Sequence, residues 1–305
     1  MTLPNFLIIG APKSGTSSLY HYLNQHPDIY MSPVKEPHFF ALDRPVEEYN
    51  GIGDRERLSY AISDWQEYQQ LFAGVKVETA IGEASTTYLG HPAAASKIKA
   101  TLGDVKLIAI VRNPADAAYA SFLHLLRDGD EYITDFQKAL AEESKRIAQG
   151  WESLWHYRTR NYYYPQFKRY FELFDPEQIR IYIYEDFKQR NAEVVKEVFE
   201  FLEVDASFIP DFSAQHNVSA MPQNLALNKL MSKPNPWKST FNFFVPSGVR
   251  SHLKEKLRTW NFNNFSKPVY DPEIRQELME GYKTDILQLQ DLLDRDLSVW
   301  LQQPH

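Results

Sequence analysis

A chain of 305 residues with 43% hydrophobic and 14% aromatic content is long enough for a large core and has the composition of a globular protein, not a disordered or fibrous one. The absence of cysteine excludes disulfides and thiolate chemistry, and a net charge of −7 speaks against nucleic acid or another polyanion as partner. Leu7-Ile8-Ile9 is too short for a signal peptide or a membrane span, so the expectation is a soluble, cytoplasmic protein.

Phe6–Ile9 is a short apolar run that reads as a buried strand. Gly10 to Gly15 then forms a loop, and a helix runs from Thr16 to about Gln25. Strand, glycine loop and helix together make a phosphate cradle, because backbone N–H groups and the helix N-terminus converge on an anion. In the P-loop pattern G-x-x-x-x-G-K-[ST], Gly10 and Gly15 keep the spacing and Ser17 holds the final hydroxyl position. Thr16 stands where the lysine belongs, and the lysine has moved into the loop as Lys13. Such a loop suits phosphate but not a nucleotide triphosphate with magnesium.

Pro33 and Pro37 stiffen the next segment, Ser32 to Phe40, into a loop that carries Lys35 and Glu36. The residues alone allow a plain Lys35–Glu36 surface pair with Phe39 and Phe40 in the core. Residues 41–62 read as a variable loop. Ser63-Asp64-Trp65-Gln66 has capping-box form and opens a helix through Phe72. Val75 to Ala84 holds a second strand, placed at Val77–Ile81, followed by Glu83 to Tyr88; Glu83 and Tyr88 are candidates either for the acceptor side of a site or for ordinary packing. His91-Pro92 starts a helix that stops at Gly103.

Val105 to Val111 is another buried-strand run, with its strand at Lys106–Val111, and it ends in Arg112, a permanent cation that forks onto phosphate oxygens. Asn113 can cap the helix from Ala115 to about Arg127, and Pro114 suits its first turn. Ser121 and His124 sit near one face of that helix. Thr134-Asp135-Phe136-Gln137 opens a helix to Ala148, and an aromatic-rich run from Trp151 to Phe174 reads as core helix or as an acceptor-pocket wall. A third strand lies at Ile179–Tyr184, and a helix at Asn191–Glu203. Residues 205–245, with Gln215-His216-Asn217 and Ser219, are irregular and read as a lid or acceptor-side insertion. An amphipathic helical tail runs from Pro272 to Trp300.

PKSGTSSL (Pro12–Leu19) resembles the 5′-phosphosulfate loop of the sulfotransferases that use 3′-phosphoadenosine 5′-phosphosulfate (PAPS), and VRNPADAAYASF (Val111–Phe122) resembles their 3′-phosphate element. YIYEDF (Tyr182–Phe187) resembles their third strand, and SPVKEPHFF resembles the heparan-sulfate 3-O-sulfotransferase subgroup and its bacterial relatives. The resemblance implies that Lys13, Ser14, Gly15, Thr16, Ser17 and Ser18 hold the phosphosulfate, that Arg112 and Ser121 hold the 3′-phosphate, and that Tyr184 lies near the adenine. It implies Glu36 as general base, Lys13 as leaving-group stabiliser and no metal. His124, by its place on the Ser121 face, is a further candidate for the base or for orienting the acceptor. The acceptor would be a hydroxyl of a sugar, metabolite, lipid or carrier-bound chain. Lys267 falls where the family often places a basic loop, but the glycine-basic pattern is absent and that role is not carried over.

The fold expected is α/β: a P-loop-like three-layer α/β/α arrangement around a central parallel sheet, in a single domain over 1–305. Two rivals remain open. A P-loop nucleotide or sugar kinase wants Lys at position 16 and a carboxylate at 112. A non-catalytic protein that binds adenosine 3′,5′-bisphosphate has no use for Glu36.

Overall fold

The computed structural model describes residues 2–213 and 270–302. Five strands, β1 (Phe6–Gly10), β2 (Ile29–Met31), β3 (Ala80–Ala84), β4 (Lys106–Val111) and β5 (Ile179–Ile183), form one sheet in the order β2-β3-β1-β4-β5. Every pairing is parallel. All five residues of β1 and of β3 are buried, which is why a parallel strand covered on both faces reads as a continuous apolar run and not as an alternation.

The described helices are α1 (Thr16–Leu23), α2 (Asp54–Arg57), α3 (Trp65–Gln70), α4 (Ala94–Leu102), α5 (Pro114–Asp128), α6 (Phe136–Ala141), α7 (Glu143–Ala148), α8 (Tyr164–Phe171), α9 (Tyr184–Gln189), α10 (Asn191–Leu202), α11 (Pro272–Leu293) and α12 (Ser298–Leu301). Leu7, Ile9, Leu107, Ala109 and Val111 point to one face of the sheet, where α4, α5, α8 and α11 pack. Phe6, Ile8, Ile108 and Ile110 point to the other, against α1 and α10. The α/β/α layering expected from the apolar runs is therefore present.

Several boundaries differ from the expectation, each for a local reason. The second strand begins at Ala80, not Val77. Glu78 folds back so that its carboxylate accepts from the N–H groups of Lys76 (2.7 Å) and Val77 (3.0 Å), and Val77 is left 83% exposed. β2 is only three residues long and gives too little pattern to be read. The caps of α3 and α6 are Asp64 and Asp135, one residue after Ser63 and Thr134, because each aspartate reaches the N–H three residues on, at 2.9 Å. The helix expected up to Ala148 is broken into α6 and α7, and the one expected from His91-Pro92 starts at Ala94. The third strand ends at Ile183, and Tyr184 opens α9. The aromatic run is not one helix: it makes 3₁₀ turns at Ser153–Trp155 and Thr159–Asn161 before α8, and Trp155, Tyr157, Tyr163 and Tyr170 are all core. The tail helix stops at Leu293, where Asp294 turns left-handed, and Trp300 comes from α12. Asn113 caps α5 as expected, accepting from Ala115 and Asp116. Gln215, His216, Asn217, Ser219 and Lys267, with most of the 205–245 insertion, lie outside the described residues.

Candidate active site

Because every pairing is parallel, the loops after all five strands open on one edge of the sheet, where ligands of such sheets bind. The phosphate loop follows the central strand β1. Gly15 takes φ +93°, and a Cβ there would meet the rings of Phe187 and Tyr184 at 3.1–3.3 Å, so glycine is required both by conformation and by space. No side chain caps α1, whose first turn begins at Thr16, so the loop mouth keeps the positive end of the helix. Ser14 is buried, with its hydroxyl donating to the Pro12 carbonyl at 3.4 Å. Burial, together with the charges of Arg127, Lys35 and Arg160, pushes the Lys13 ammonium down to about 8, with Asp128 acting the other way.

The Glu36 loop, after β2, is clamped to the end of β3. Glu36 N–H donates to the Ala84 carbonyl at 2.8 Å. Its carboxylate accepts from Thr86 N–H (2.7 Å), from the Thr86 hydroxyl (3.0 and 3.2 Å) and from Lys35 Nζ (2.7 Å). Both Glu36 and His38 hold positive φ, near 61° and 56°. Such a conformation persists in non-glycine residues only where the surroundings fix it, and at functional sites it is common. Burial alone raises the Glu36 carboxyl, but the Lys35 and His38 charges and the Lys35 and Thr86 hydrogen bonds outweigh it and hold the group below its ordinary value. The expected Lys35–Glu36 pair is thus present, part-buried and not on an open face, with Phe40 in the core and Phe39 packed against it.

Beneath this loop lies Glu83, fully buried. Ser85 Oγ donates to its carboxylate at 2.9 Å and accepts from His38 N–H at 3.2 Å; Tyr68 reaches the other oxygen at 3.3 Å. His38 Nδ1 pairs with the Thr87 hydroxyl at 2.8 Å. Glu83 and Tyr88 are therefore packing and positioning groups, not walls of the cleft. Burial pushes Glu83 up to about 7, with the negative charge of Glu36 adding and the hydroxyls of Tyr88, Ser85 and Tyr68 opposing. Thr86, which grips Glu36, went unnoticed in the sequence because only the fold brings residue 86 to residue 36.

His124 lies on α5, one turn beyond Ser121, and the Lys13 charge acts on its ring. Arg127 Nη2 lies 2.7 Å from His124 Nδ1. A guanidinium only donates, so Nδ1 accepts and the neutral ring carries its proton on Nε2. Burial first, then Lys13, keeps the ring neutral. A ring in this state offers a donor to an acceptor oxygen but no free lone pair to take a proton.

Arg112 lies over the Tyr184 ring, 4.8 Å from its centre, beside the phosphate loop that Tyr184 touches. Asn113 Nδ2 donates to the Trp300 carbonyl at 3.2 Å and Trp300 Nε1 to Glu185 at 3.3 Å, so the late tryptophan ties the ends of β4 and β5 together. Ser121 is buried and its hydroxyl donates to the Ala117 carbonyl at 3.0 Å, so holding a phosphate requires that bond to be exchanged. Arg57, which pairs with Asp54 and Asp130, and Arg160 and Glu152, whose charges act on each other, were not read from the sequence, where no motif marks them. Among the described residues no cluster of three His, Asp or Glu is disposed to hold a metal ion, and no helix is long and apolar enough to cross a membrane.

The chain is similar over 99% of its length to a sulfotransferase from Alicyclobacillus acidocaldarius, with 35% identity, all of that chain covered and a TM-score of 0.78. It is 30% identical over 122 residues to the membrane-associated sulfotransferase kil1 of Dictyostelium discoideum, and 28% identical over 174 residues to carbohydrate sulfotransferase 15 of Mus musculus. Those matches cover 40% and 46% of this chain, but the chain spans only 23% and 30% of these curated relatives. Residues 4–208 match the model of the sulfotransferase family, a span that contains the phosphate loop, the Glu36 clamp and the Arg112 turn, and the chain belongs to that family.

Proposed function

We propose that this chain moves a sulfuryl group from PAPS to an acceptor hydroxyl, such as that of a sugar, with Glu36 as general base, and that one domain over residues 1–305 does so. The observation that carries the reading is the pairing of two devices on one sheet edge: an uncapped, lysine-bearing phosphate loop and a carboxylate held by Thr86 N–H at 2.7 Å. The residues suit the donor. Lys13 and the first-turn N–H groups of α1 would meet the 5′-phosphosulfate, Arg112 the 3′-phosphate, and Tyr184 the base.

When bound, the donor supplies an activated sulfuryl group. Glu36 takes the proton of the acceptor hydroxyl as its oxygen bonds to sulfur; the bond between sulfur and the bridging phosphate oxygen breaks, and Lys13 offsets the charge left on that phosphate. The low position of the Glu36 carboxyl keeps it ionised at neutral pH, and the negative charge of a neighbouring donor raises its basicity. His124, with Nε2–H available, orients the acceptor oxygen. A kinase would need a metal-binding carboxylate where Arg112 stands. The test is incubation with PAPS and an acceptor panel, read by mass spectrometry for a sulfate-mass gain and by release of adenosine 3′,5′-bisphosphate. Tight bisphosphate binding with no sulfated product from any acceptor would favour the non-catalytic binding protein.

A further inference from the structure

The turn after β3 joins the phosphate loop to the Glu36 loop. Ser85 N–H donates to the Ile8 carbonyl at 3.0 Å and Leu89 N–H to the Ile9 carbonyl at 2.9 Å, so the turn is registered against β1 just before the phosphate loop begins. The approach is close: a Cβ on Gly10 would lie 2.7 Å from Leu89 Cβ and 3.3 Å from the Thr86 carbonyl oxygen. The same turn holds the Glu36 loop. The Ala84 carbonyl accepts from Glu36 N–H at 2.8 Å, the Ser85 hydroxyl accepts from His38 N–H at 3.2 Å, and the Thr87 hydroxyl pairs with His38 Nδ1 at 2.8 Å. Thr86, which is buried, reaches the Glu36 carboxylate itself.

An ionised carboxylate offers about four lone pairs. Lys35 Nζ takes one on Oε1 and Thr86 N–H takes one on Oε2, each at 2.7 Å. The Thr86 hydroxyl has one proton and two oxygens within reach, Oε1 at 3.0 Å and Oε2 at 3.2 Å. With the hydroxyl on the nearer oxygen, Oε1 is full and Oε2 keeps one lone pair. His38 does not claim it, since Nδ1 is engaged by Thr87 and lies 4.0 Å from Oε2. We propose that Thr86 is the positioning residue of the base: its hydroxyl and N–H orient Glu36 against the phosphate loop so that Oε2 takes the acceptor proton. The acceptor O–H bond breaks, its proton passes to Oε2, and its electron pair forms the bond to sulfur as the bond from sulfur to the bridging phosphate oxygen breaks. The proposal rests on the reading of Glu36 as base and names the oxygen that acts. A hydroxyl that donates to a carboxylate favours the ionised form, so its loss should raise the Glu36 carboxyl. The other groups whose charges act on Glu36, namely Lys35, His38, Glu83, Tyr60 and Arg160, are unchanged by a substitution at Thr86 and cancel in the comparison.

The experiment uses the full chain with Thr86→Val, which keeps the shape and the N–H but not the hydroxyl, and Thr86→Ser, which keeps the hydroxyl. Should Thr86→Val not fold, Thr86→Ala carries the same expectation. In the ligand-free protein, carbon-13 NMR titration of the Glu36 carboxyl should show a midpoint raised by about one pH unit in Thr86→Val and unmoved in Thr86→Ser. With PAPS and an acceptor found by the panel, kcat of Thr86→Val should fall about tenfold or more, because the base oxygen is no longer aimed. The acceptor KM and the affinity for adenosine 3′,5′-bisphosphate should stay within about twofold, and Thr86→Ser should keep kcat within about threefold. An unmoved midpoint in Thr86→Val, equal losses of kcat in both variants, or a parallel loss of bisphosphate affinity would each overturn the assignment. Wild-type protein that binds PAPS but sulfates no acceptor would sink the base reading and this assignment with it, whereas wild-type transfer with an indifferent Thr86→Val would sink only this inference.

Discussion

Glu83 makes a prediction that depends on no substrate. Its carboxyl is pushed up to about 7 from an ordinary 4.5 by burial beneath the Glu36 loop. At about 1.4 kcal/mol per pH unit, that gap corresponds to roughly 3 kcal/mol. The sign follows from the raised value: the protonated carboxyl belongs to the folded state, so this contribution is full below pH 4.5, declines as pH rises to about 7, and is flat above. Glu83→Gln keeps the shape, and its amide still has Ser85 and Tyr68 as partners, but it cannot titrate. Urea unfolding of both proteins from pH 4.5 to pH 8 isolates the effect, because every other titrating group cancels in the difference. The wild type should lose roughly 3 kcal/mol relative to the variant across that range. Parallel stability curves for the two proteins would refute the raised Glu83 carboxyl.

Glu36→Gln should lower turnover by about 10²–10⁴ while bisphosphate affinity stays nearly constant in calorimetry, as for loss of a general base. His124→Ala should cost less; near-normal turnover in Glu36→Gln with none in His124→Ala would reverse the two roles. Arg112→Ala should weaken adenosine 3′,5′-bisphosphate about tenfold or more and leave AMP nearly unchanged, since only the former carries the 3′-phosphate. Because Lys13 is pushed down to about 8, bisphosphate affinity should fall as pH rises through that value, and Lys13→Arg, which cannot lose its charge, should remove the decline. A pH-independent affinity in the wild type would dissociate Lys13 from the phosphate.

The strand, glycine loop and helix from Phe6 to Leu23 were legible in the sequence because their devices are local. Gly10, Lys13, Gly15 and Thr16 lie within seven residues, and a short chain segment has few ways to place N–H groups on an anion. Phe6–Ile9 and Lys106–Val111 were legible for the same reason, a buried parallel strand being one unbroken apolar run. Val77 misled, because a β-branched residue beside a strand carries no sign that Glu78 has already claimed its N–H. The Glu36 clamp, the Ser85 bridge and the proton position on His124 were decided only by the tertiary structure. Each joins atoms supplied by different loops or set by a neighbour's geometry, such as Thr86 on Glu36 across fifty positions or Arg127 on His124. Spacing along the chain fixes which residues share a strand or a turn. Which carboxylate is ionised depends on burial and on charges brought together by the parallel sheet.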